Sequence, residues 1–159
     1  MYIFDGAMGT MLQAAGLEEG YCPELFNIER PEVVKDIHAQ YLQHGSDVIT
    51  TNTFGACGLK LEDYDLQDRV REINIAAVKV AKEAIAETKP TARVAGSMGP
   101  TGRFLQPLGN MSFDSIYDTY REQAEALIEG GVDFIIIETI IDVQEMRAAL
   151  LASLDAREA

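Results

Sequence analysis

The feature that most constrains this chain is an alternation of short apolar runs with longer helical patterns. Four runs rich in β-branched or aromatic residues stand at positions 2–4, 48–49, 94–95 and 134–137. Each is too short for a helix and is typical of a strand. Because the runs are continuously apolar rather than alternating, we expect strands buried on both faces, as in a parallel sheet.

Amphipathic helical patterns follow each run. Apolar residues recur at helical spacing over positions 33–42, 70–84, 116–128 and 146–154. Pro31 suits the first helical position and Gly45 a helix end, while Gly130 and Gly131 stop the third pattern. Asp142 and Glu145 have the spacing of a capping box that would open the fourth helix.

A strand followed by a helix, four times over, predicts an α/β fold with a parallel sheet. A doubly wound sheet and part of a (β/α)₈ TIM barrel both fit this order. A whole barrel needs about 250 residues, and the chain has 159. We therefore expect one partial domain over residues 1–159, the first four βα units of a barrel with outer helices. Residues 45–49 resemble residues 131–135, which indicates either a repeat or chance.

Charge and cysteine content exclude several classes of protein. The formal net charge of −13 disfavours binding to nucleic acid and to anionic membrane surfaces. Neither a secretory leader nor an apolar segment of membrane-spanning length is found in the sequence. Two cysteines do not make a disulfide framework, so we expect a reducing, cytoplasmic location.

Polar residues and glycines cluster after each predicted strand. The clusters occupy positions 5–10, 51–55, 97–102 and 138–139, and in a barrel all four would open on the carboxyl-terminal face, where active sites form. Glu138 ends the most apolar run, so its charge needs a partner. Asp5 and Glu138 could hold an ammonium group and the backbone N–H of Gly6 a carboxylate, which suits a zwitterionic amino acid. Simple turns remain an alternative for residues 5–6 and 99–102.

Five segments, in order and spacing, resemble the homocysteine S-methyltransferase family. The similarity is greatest to the homocysteine-binding domain at the N-terminus of cobalamin-dependent methionine synthases, and it extends from residue 1 to about residue 152. The segments are Asp-Gly-Ala-Met-Gly-Thr-Met, Cys-Pro-Glu-Leu-Phe-Asn, Asp-Val-Ile-Thr-Thr-Asn-Thr-Phe-Gly-Ala, Gly-Pro-Thr-Gly and Ile-Ile-Glu-Thr.

The resemblance implies a (β/α)₈ barrel that binds homocysteine at its mouth and methylates the thiolate to methionine. By matching positions, Asp5, Gly6 and Glu138 would hold the amino and carboxylate groups, and Met8 would pack against the aliphatic part. The second-strand segment would line the same pocket with Thr51, Asn52, Thr53 and Phe54.

The family activates the thiol with zinc held by three cysteines. These lie in Asn-Cys-Ser and Gly-Gly-Cys-Cys-Gly segments, and neither occurs in this sequence. Cys22 and Cys57 are a weak alternative zinc site, because they are far apart and have no histidine pair nearby. We therefore assign no catalytic or metal-binding residue and expect the isolated chain to be inactive. Cobalamin and methyltetrahydrofolate would be bound by other modules of the parent enzyme.

Three functional hypotheses follow. The chain is part of a methyltransferase domain, or a half-barrel scaffold that self-associates without catalysis, or an unrelated α/β enzyme with similar loops. A half-barrel would expose strand edges and an apolar inner face, which promote association. We expect its partner to be the missing C-terminal half-barrel or a second copy, for example in a two-fold dimer.

Overall fold

The computed structural model describes residues 1–158 as a layer of helices against a three-stranded parallel sheet whose strand order follows the chain. The strands are β1 (Val48–Thr50), β2 (Arg93–Met98) and β3 (Phe134–Ile137). The α-helices are α1 (Gly9–Ala14), α2 (Phe26–Glu29), α3 (Pro31–Gln43), α4 (Gly58–Leu61), α5 (Val70–Thr88), α6 (Phe113–Gly130) and α7 (Val143–Glu158). Short 3₁₀ turns occupy Pro23–Leu25, Glu62–Tyr64 and Gln67–Arg69.

The first predicted strand, residues 2–4, is reduced to a single bridge. Phe4 pairs in parallel with Val48, and the Val48 N–H donates to the Ile3 carbonyl over 3.1 Å. The Tyr2, Ile3 and Phe4 side chains are 59%, 54% and 41% exposed. The chain therefore enters the sheet beside β1, but residues 1–158 contain only three regular strands, and the predicted count of four βα units is not confirmed.

The long helices lie where the apolar spacing predicts them, side by side in chain order. Helix α3 contacts α5, α5 contacts α6, and α6 contacts α7. The core between α5, α6, α7 and the sheet includes Ile116, Tyr120 and Leu127 of α6 together with Met98 of β2. A parallel sheet whose strand order follows the chain, with consecutive helices outside it, has the arrangement of a barrel segment. Among residues 1–158, no helix is both long enough and apolar enough to cross a membrane.

The start of α7 differs from the prediction. Asp142 Oδ1 accepts a hydrogen bond from the Gln144 N–H at 2.7 Å, as a capping residue does. The predicted capping box is nevertheless wrong, because the Glu145 carboxylate turns inward to Thr101 and is only 3% exposed. A partner across the fold has replaced the local one.

The weak sequence repeat corresponds to a repeated hydrogen-bond pattern. Asp47 donates its N–H to the Ile3 carbonyl at 2.7 Å, and its carboxylate accepts the Ile3 N–H at 3.1 Å. Asp133 makes the same two bonds with Val94, at 2.9 and 2.8 Å. Each aspartate thus lies just before a strand and bonds to the backbone of the neighbouring extended segment.

An apolar surface, which we call the β3–α7 edge, borders the sheet. It surrounds a cavity of about 430 Å³, and Leu150 and Leu154 of α7 are 50% and 42% exposed there. We expected β3 to be buried on both faces, but all four of its residues are only partly buried. The reason is that β3 is an edge strand with a neighbour on one side only. The surface comprises Ile128, Val132, Phe134, Ile135, Ile137, Leu150 and Leu154.

Candidate functional site

A cleft of about 350 Å³ opens where the chain leaves the sheet. Its walls come from the loop after residue 4, from the carboxyl ends of the three strands, and from the first 3₁₀ turn. The lining residues are Gly6, Ala7, Met8, Gly9, Pro23, Glu24, Thr50, Thr51, Asn52, Phe54, Ser97 and Glu138.

Six of the eight sequence-predicted site residues line this cleft. They are Gly6, Met8, Thr51, Asn52, Phe54 and Glu138. The other two, Asp5 and Thr53, are not among its lining residues. Their side chains bond to the main chain or to side chains of residues that do line it. The strand-end clusters therefore converge as the alternation predicted.

Glu138 follows β3 directly and is partly buried at the cleft wall. Its Oε1 accepts a hydrogen bond from the Ser97 hydroxyl at 2.7 Å. The next residue, Thr139, has a φ of 61°, a left-handed conformation that β-branched residues rarely adopt. The chain therefore turns sharply just after the carboxylate, and such strained turns are frequent at functional sites.

Asp5 lies behind the cleft wall next to the end of β1. Its Oδ2 accepts the Thr50 N–H at 2.8 Å and its Oδ1 accepts the Thr50 hydroxyl at 3.1 Å. Burial raises the pKa of Asp5 to about 6, against the opposing effect of the Thr50 hydrogen bonds, and the negative charge of Glu138 adds a smaller increase. Asp5 and Glu138 are thus close enough for their charges to interact, and the residues that line the cleft include no lysine, arginine or histidine.

A buried hydrogen-bond network fixes the ends of β1 and β2 against each other. The Thr53 hydroxyl donates to the Ser97 carbonyl at 2.7 Å, and the Thr51 hydroxyl oxygen accepts the Ser97 N–H at 3.0 Å. From α6, Gln123 Nε2 donates to the Thr53 carbonyl at 2.9 Å. Thr53, predicted to line the pocket, instead supports the residues that do.

Two glycines permit close contacts that shape the cleft. A Cβ at Gly6 would lie 3.0 Å from the Tyr41 hydroxyl oxygen, and that hydroxyl donates to the Ala7 carbonyl at 2.8 Å. A Cβ at Gly99 would lie 2.7 Å from the Phe54 ring and from its carbonyl oxygen. Larger side chains at Gly6 or Gly99 would therefore displace the first loop or the partly exposed Phe54 ring.

Sequence reasoning missed Glu24 and Ser97 as cleft residues. Glu24 is 5% exposed, and its Oε1 accepts the Gly55 N–H at 2.7 Å. Asn27 Nδ2 donates to the Asn52 carbonyl at 2.7 Å and so ties the same turn to the β1 loop. Glu24 lies in the Cys-Pro-Glu-Leu-Phe-Asn segment and Ser97 in a strand-end cluster. The sequence therefore pointed to both segments, but nothing in it singled out these two residues.

The two cysteines do not form a metal centre. Both are free and buried, and burial raises the pKa of each thiol to about 12. Zinc binds the thiolate form, which such surroundings disfavour. Within residues 1–158, no three histidine, cysteine, aspartate or glutamate side chains are grouped to hold a metal ion. These residues therefore do not fit the zinc site that the family resemblance implies.

The sequence matches the model of the homocysteine S-methyltransferase family over residues 2–158. Two curated relatives are methionine synthases, from Mycobacterium tuberculosis (strain ATCC 25618 / H37Rv) at 41% identity and from Mycobacterium leprae (strain TN) at 39%. Each alignment covers 94% of this chain but only 13% of the relative. The chain is thus similar to a small part of much longer proteins.

Solved structures of the homocysteine methyltransferase MmuM from Escherichia coli are similar in fold. The oxidized form aligns with a TM-score of 0.82 at 26% identity and covers 99% of this chain and 59% of that one. The metallated form gives 0.81 at 27%, over 99% and 60%. These matches confirm the α/β architecture of a TIM-barrel-type methyltransferase for the part of the chain they cover.

Proposed function

This chain belongs to the homocysteine S-methyltransferase family, and we propose that its cleft is the homocysteine-binding part of a methyltransferase domain. The whole of residues 1–159 would form a single partial domain of that barrel. The chain spans 13% of the length of its methionine synthase relatives, so it can bind homocysteine without containing everything that catalysis needs.

The observation that carries the proposal is the Glu138 carboxylate at the wall of a cleft without cationic lining residues, with the Asp5 carboxylate bonded to Thr50 behind the same wall. Two neighbouring carboxylates in a partly desolvated site repel each other, and a cation relieves that repulsion. The ammonium group of an amino acid supplies this positive charge. A neutral or anionic ligand would leave the repulsion in place.

The remaining lining residues suit the rest of homocysteine. Met8, Ala7 and Phe54 offer apolar contact to its two methylene groups, and the exposed backbone at Gly6 leaves room for its carboxylate. Thr51 and Asn52 complete the wall on the β1 side. In this arrangement, the chain binds and orients the amino acid, and its residues carry out no methyl transfer.

Zinc would make the bound sulfur a nucleophilic thiolate in the family reaction, but the residues present here do not fit a zinc site. We propose that zinc, cobalamin and methyltetrahydrofolate are bound by other parts of the parent enzymes. The isolated chain would then bind homocysteine without turning it over. Free thiols at both cysteines agree with the proposed cytoplasmic location.

Calorimetric titration of the chain with L-homocysteine tests the binding proposal. Glu138→Gln should weaken binding at least tenfold, because it removes a charged partner of the ammonium. The matched control is Glu83→Gln, an exposed α5 residue outside the cleft, which should bind as the unmodified chain does. Equal affinity of Glu138→Gln and the unmodified chain would contradict the proposed ammonium site.

A second candidate function, a self-associating half-barrel scaffold, is favoured by the exposed β3–α7 edge. Leu150 and Leu154 present apolar surface there beside the edge strand, and such surfaces promote association. Sedimentation should show the chain as a dimer of two copies, and Leu150→Glu with Leu154→Glu should shift it towards monomer. A compact, stable monomer of the unmodified chain would rule this candidate out.

A further inference from the structure

We propose that Ser97 is a positioning residue that fixes the Glu138 carboxylate for recognition of the ligand's ammonium group. This inference rests on the proposed homocysteine site and adds a residue to it. Ser97 stands near the end of β2 and pairs with Ile136 of β3 in the parallel register. Glu138 directly follows β3, so its side chain lies within reach of Ser97, and the Ser97 hydroxyl donates to Glu138 Oε1 at 2.7 Å.

Ser97 is unusually well held for a residue that lines a cleft. Its N–H donates to the Thr51 hydroxyl oxygen at 3.0 Å, and its carbonyl accepts the Thr53 hydroxyl at 2.7 Å. It is 2% exposed. Its backbone is therefore held on both sides, which fixes the position from which its hydroxyl reaches Glu138.

The network behind Ser97 reaches the outer helix layer. Gln123 of α6 donates to the Thr53 carbonyl at 2.9 Å and lies 3.5 Å from the Ser97 carbonyl. Packing of α6 on the sheet thus helps to hold the backbone that carries the Ser97 hydroxyl. A continuous set of hydrogen bonds runs from Gln123 through Thr53 and Ser97 to Oε1 of Glu138.

The two carboxylate oxygens of Glu138 therefore have different roles. Oε1 is engaged by Ser97, and among residues 1–158 no donor is hydrogen-bonded to Oε2, which stays available to a ligand. A glutamate without this anchor would lose side-chain rotamer freedom on binding, and that loss weakens affinity. Ser97 therefore pre-orders the acceptor before the ligand arrives.

A purely structural role would have a different signature. If Ser97 only completed the hydrogen bonds at the end of β2, its replacement would lower thermal stability and would weaken all ligands equally. A positioning role changes the order of the Glu138 side chain and the affinity for ammonium-bearing ligands in particular.

The experiment compares the unmodified chain with Ser97→Ala, Ser97→Thr and Ser153→Ala. Ser153 is the matched control, because its partly buried hydroxyl donates to the Ala149 carbonyl in α7, outside the cleft lining. The first readout, without ligand, is the NMR relaxation order of the Glu138 side chain. The second is affinity for L-homocysteine and for 4-mercaptobutanoate, which lacks the amino group.

Ser97→Ala should lower Glu138 order and weaken L-homocysteine binding by about 2- to 10-fold, the effect of having to immobilise one side chain on binding. Its affinity for 4-mercaptobutanoate should not change. Ser97→Thr keeps the hydroxyl and should restore Glu138 order, and Ser153→Ala should leave both readouts unaltered. Circular dichroism checks that each variant is folded.

Unchanged Glu138 order in a folded Ser97→Ala variant would overturn the inference, as would an equal loss of affinity for both ligands. Failure of the proposed function looks different. In that case the unmodified chain does not bind L-homocysteine, or Glu138→Gln binds it normally, while the ligand-free order of Glu138 still decides the role of Ser97.

Discussion

Two glutamates only seven positions apart, Glu138 and Glu145, occupy opposite kinds of site. Three donors converge on Glu145 Oε1: the Thr101 N–H at 2.8 Å, the Thr101 hydroxyl at 2.7 Å and the Tyr120 hydroxyl at 3.0 Å. Glu138 receives one side-chain donor, from Ser97, at the wall of an open cleft. We call the first region the Glu145 cluster and the second the Asp5–Glu138 pair.

Hydrogen-bond satisfaction, rather than residue type or burial alone, separates the glutamate that stabilises the fold from the glutamate that is open to a ligand. Donors supplied by the fold make Glu145 part of the scaffold, because it fixes the loop after β2 to α6 and α7. The Asp5–Glu138 pair is like-charged and lacks a cationic neighbour in the cleft lining. It therefore opposes folding slightly and favours a positively charged ligand.

The largest expected effect comes from removing the carboxylate of the Glu145 cluster. Glu145→Ala would leave the buried N–H and hydroxyl of Thr101 without their acceptor, so the free energy of unfolding should fall by about 3–5 kcal/mol. Glu138→Ala should change it by less than about 1 kcal/mol. Urea denaturation of both variants measures the contrast, and equal losses would remove the distinction between the two regions.

The Asp5–Glu138 pair should also reveal itself in the pH dependence of stability. With burial raising the pKa of Asp5 from 3.8 to about 6, the folded chain holds this proton more tightly than the unfolded chain. The contribution of Asp5 to stability is therefore complete below pH 3.8 and is lost as the pH rises to 6. Asp5→Asn should remove this loss and stabilise the chain at pH 7 by about 1–2 kcal/mol, after allowance for partial solvent screening.

The measurement is the difference in unfolding free energy between pH 4 and pH 7, for Asp5→Asn and for the unmodified chain. His38 titrates in the same window with the opposite sign, because complete burial lowers its pKa to about 4. Since His38 is present in both proteins, its contribution cancels in the comparison. Parallel pH profiles for the two proteins would argue against an elevated pKa at Asp5.

The smallest expected effect concerns the strained residue beside Glu138. Thr139 has a φ of 61°, which glycine adopts without steric strain, although glycine loses more chain entropy on folding. Thr139→Gly should raise the free energy of unfolding by about 0.5–1 kcal/mol, and Thr139→Ala, which keeps the Cβ, should gain less. If glycine gives no gain over alanine, the strain does not lie at this residue.

Several parts of the site could be predicted from the sequence because they depend on neighbouring residues. The strand-end position of Glu138, the turn at Asp5-Gly6 and the segment from Thr51 to Phe54 all follow short apolar runs. In a parallel sheet such ends share one side, so six predicted residues meet in one cleft. The register of the family motifs added the assignment of homocysteine, which spacing alone did not supply.

Other parts could not be predicted because they depend on partners far along the chain. Glu145 has the spacing of a local cap, yet its hydrogen bonds go to Thr101, 44 positions away. Ser97 and Glu138 are 41 positions apart, and Gln123 reaches Thr53 over 70. Residues 2–4 have a strand-like composition, but only one bridge forms at Phe4.

By itself, the sequence determined the four long helices, the order in which they alternate with the strands, the family and half of the cleft lining. Apolar periodicity and strand-end motifs are local properties, and burial of the apolar face follows from them directly. The tertiary structure decided which carboxylate belongs to the scaffold and which remains open to a ligand. Directional hydrogen bonds between distant segments make that choice, and only the packing of α6 and α7 on the sheet brings those segments together.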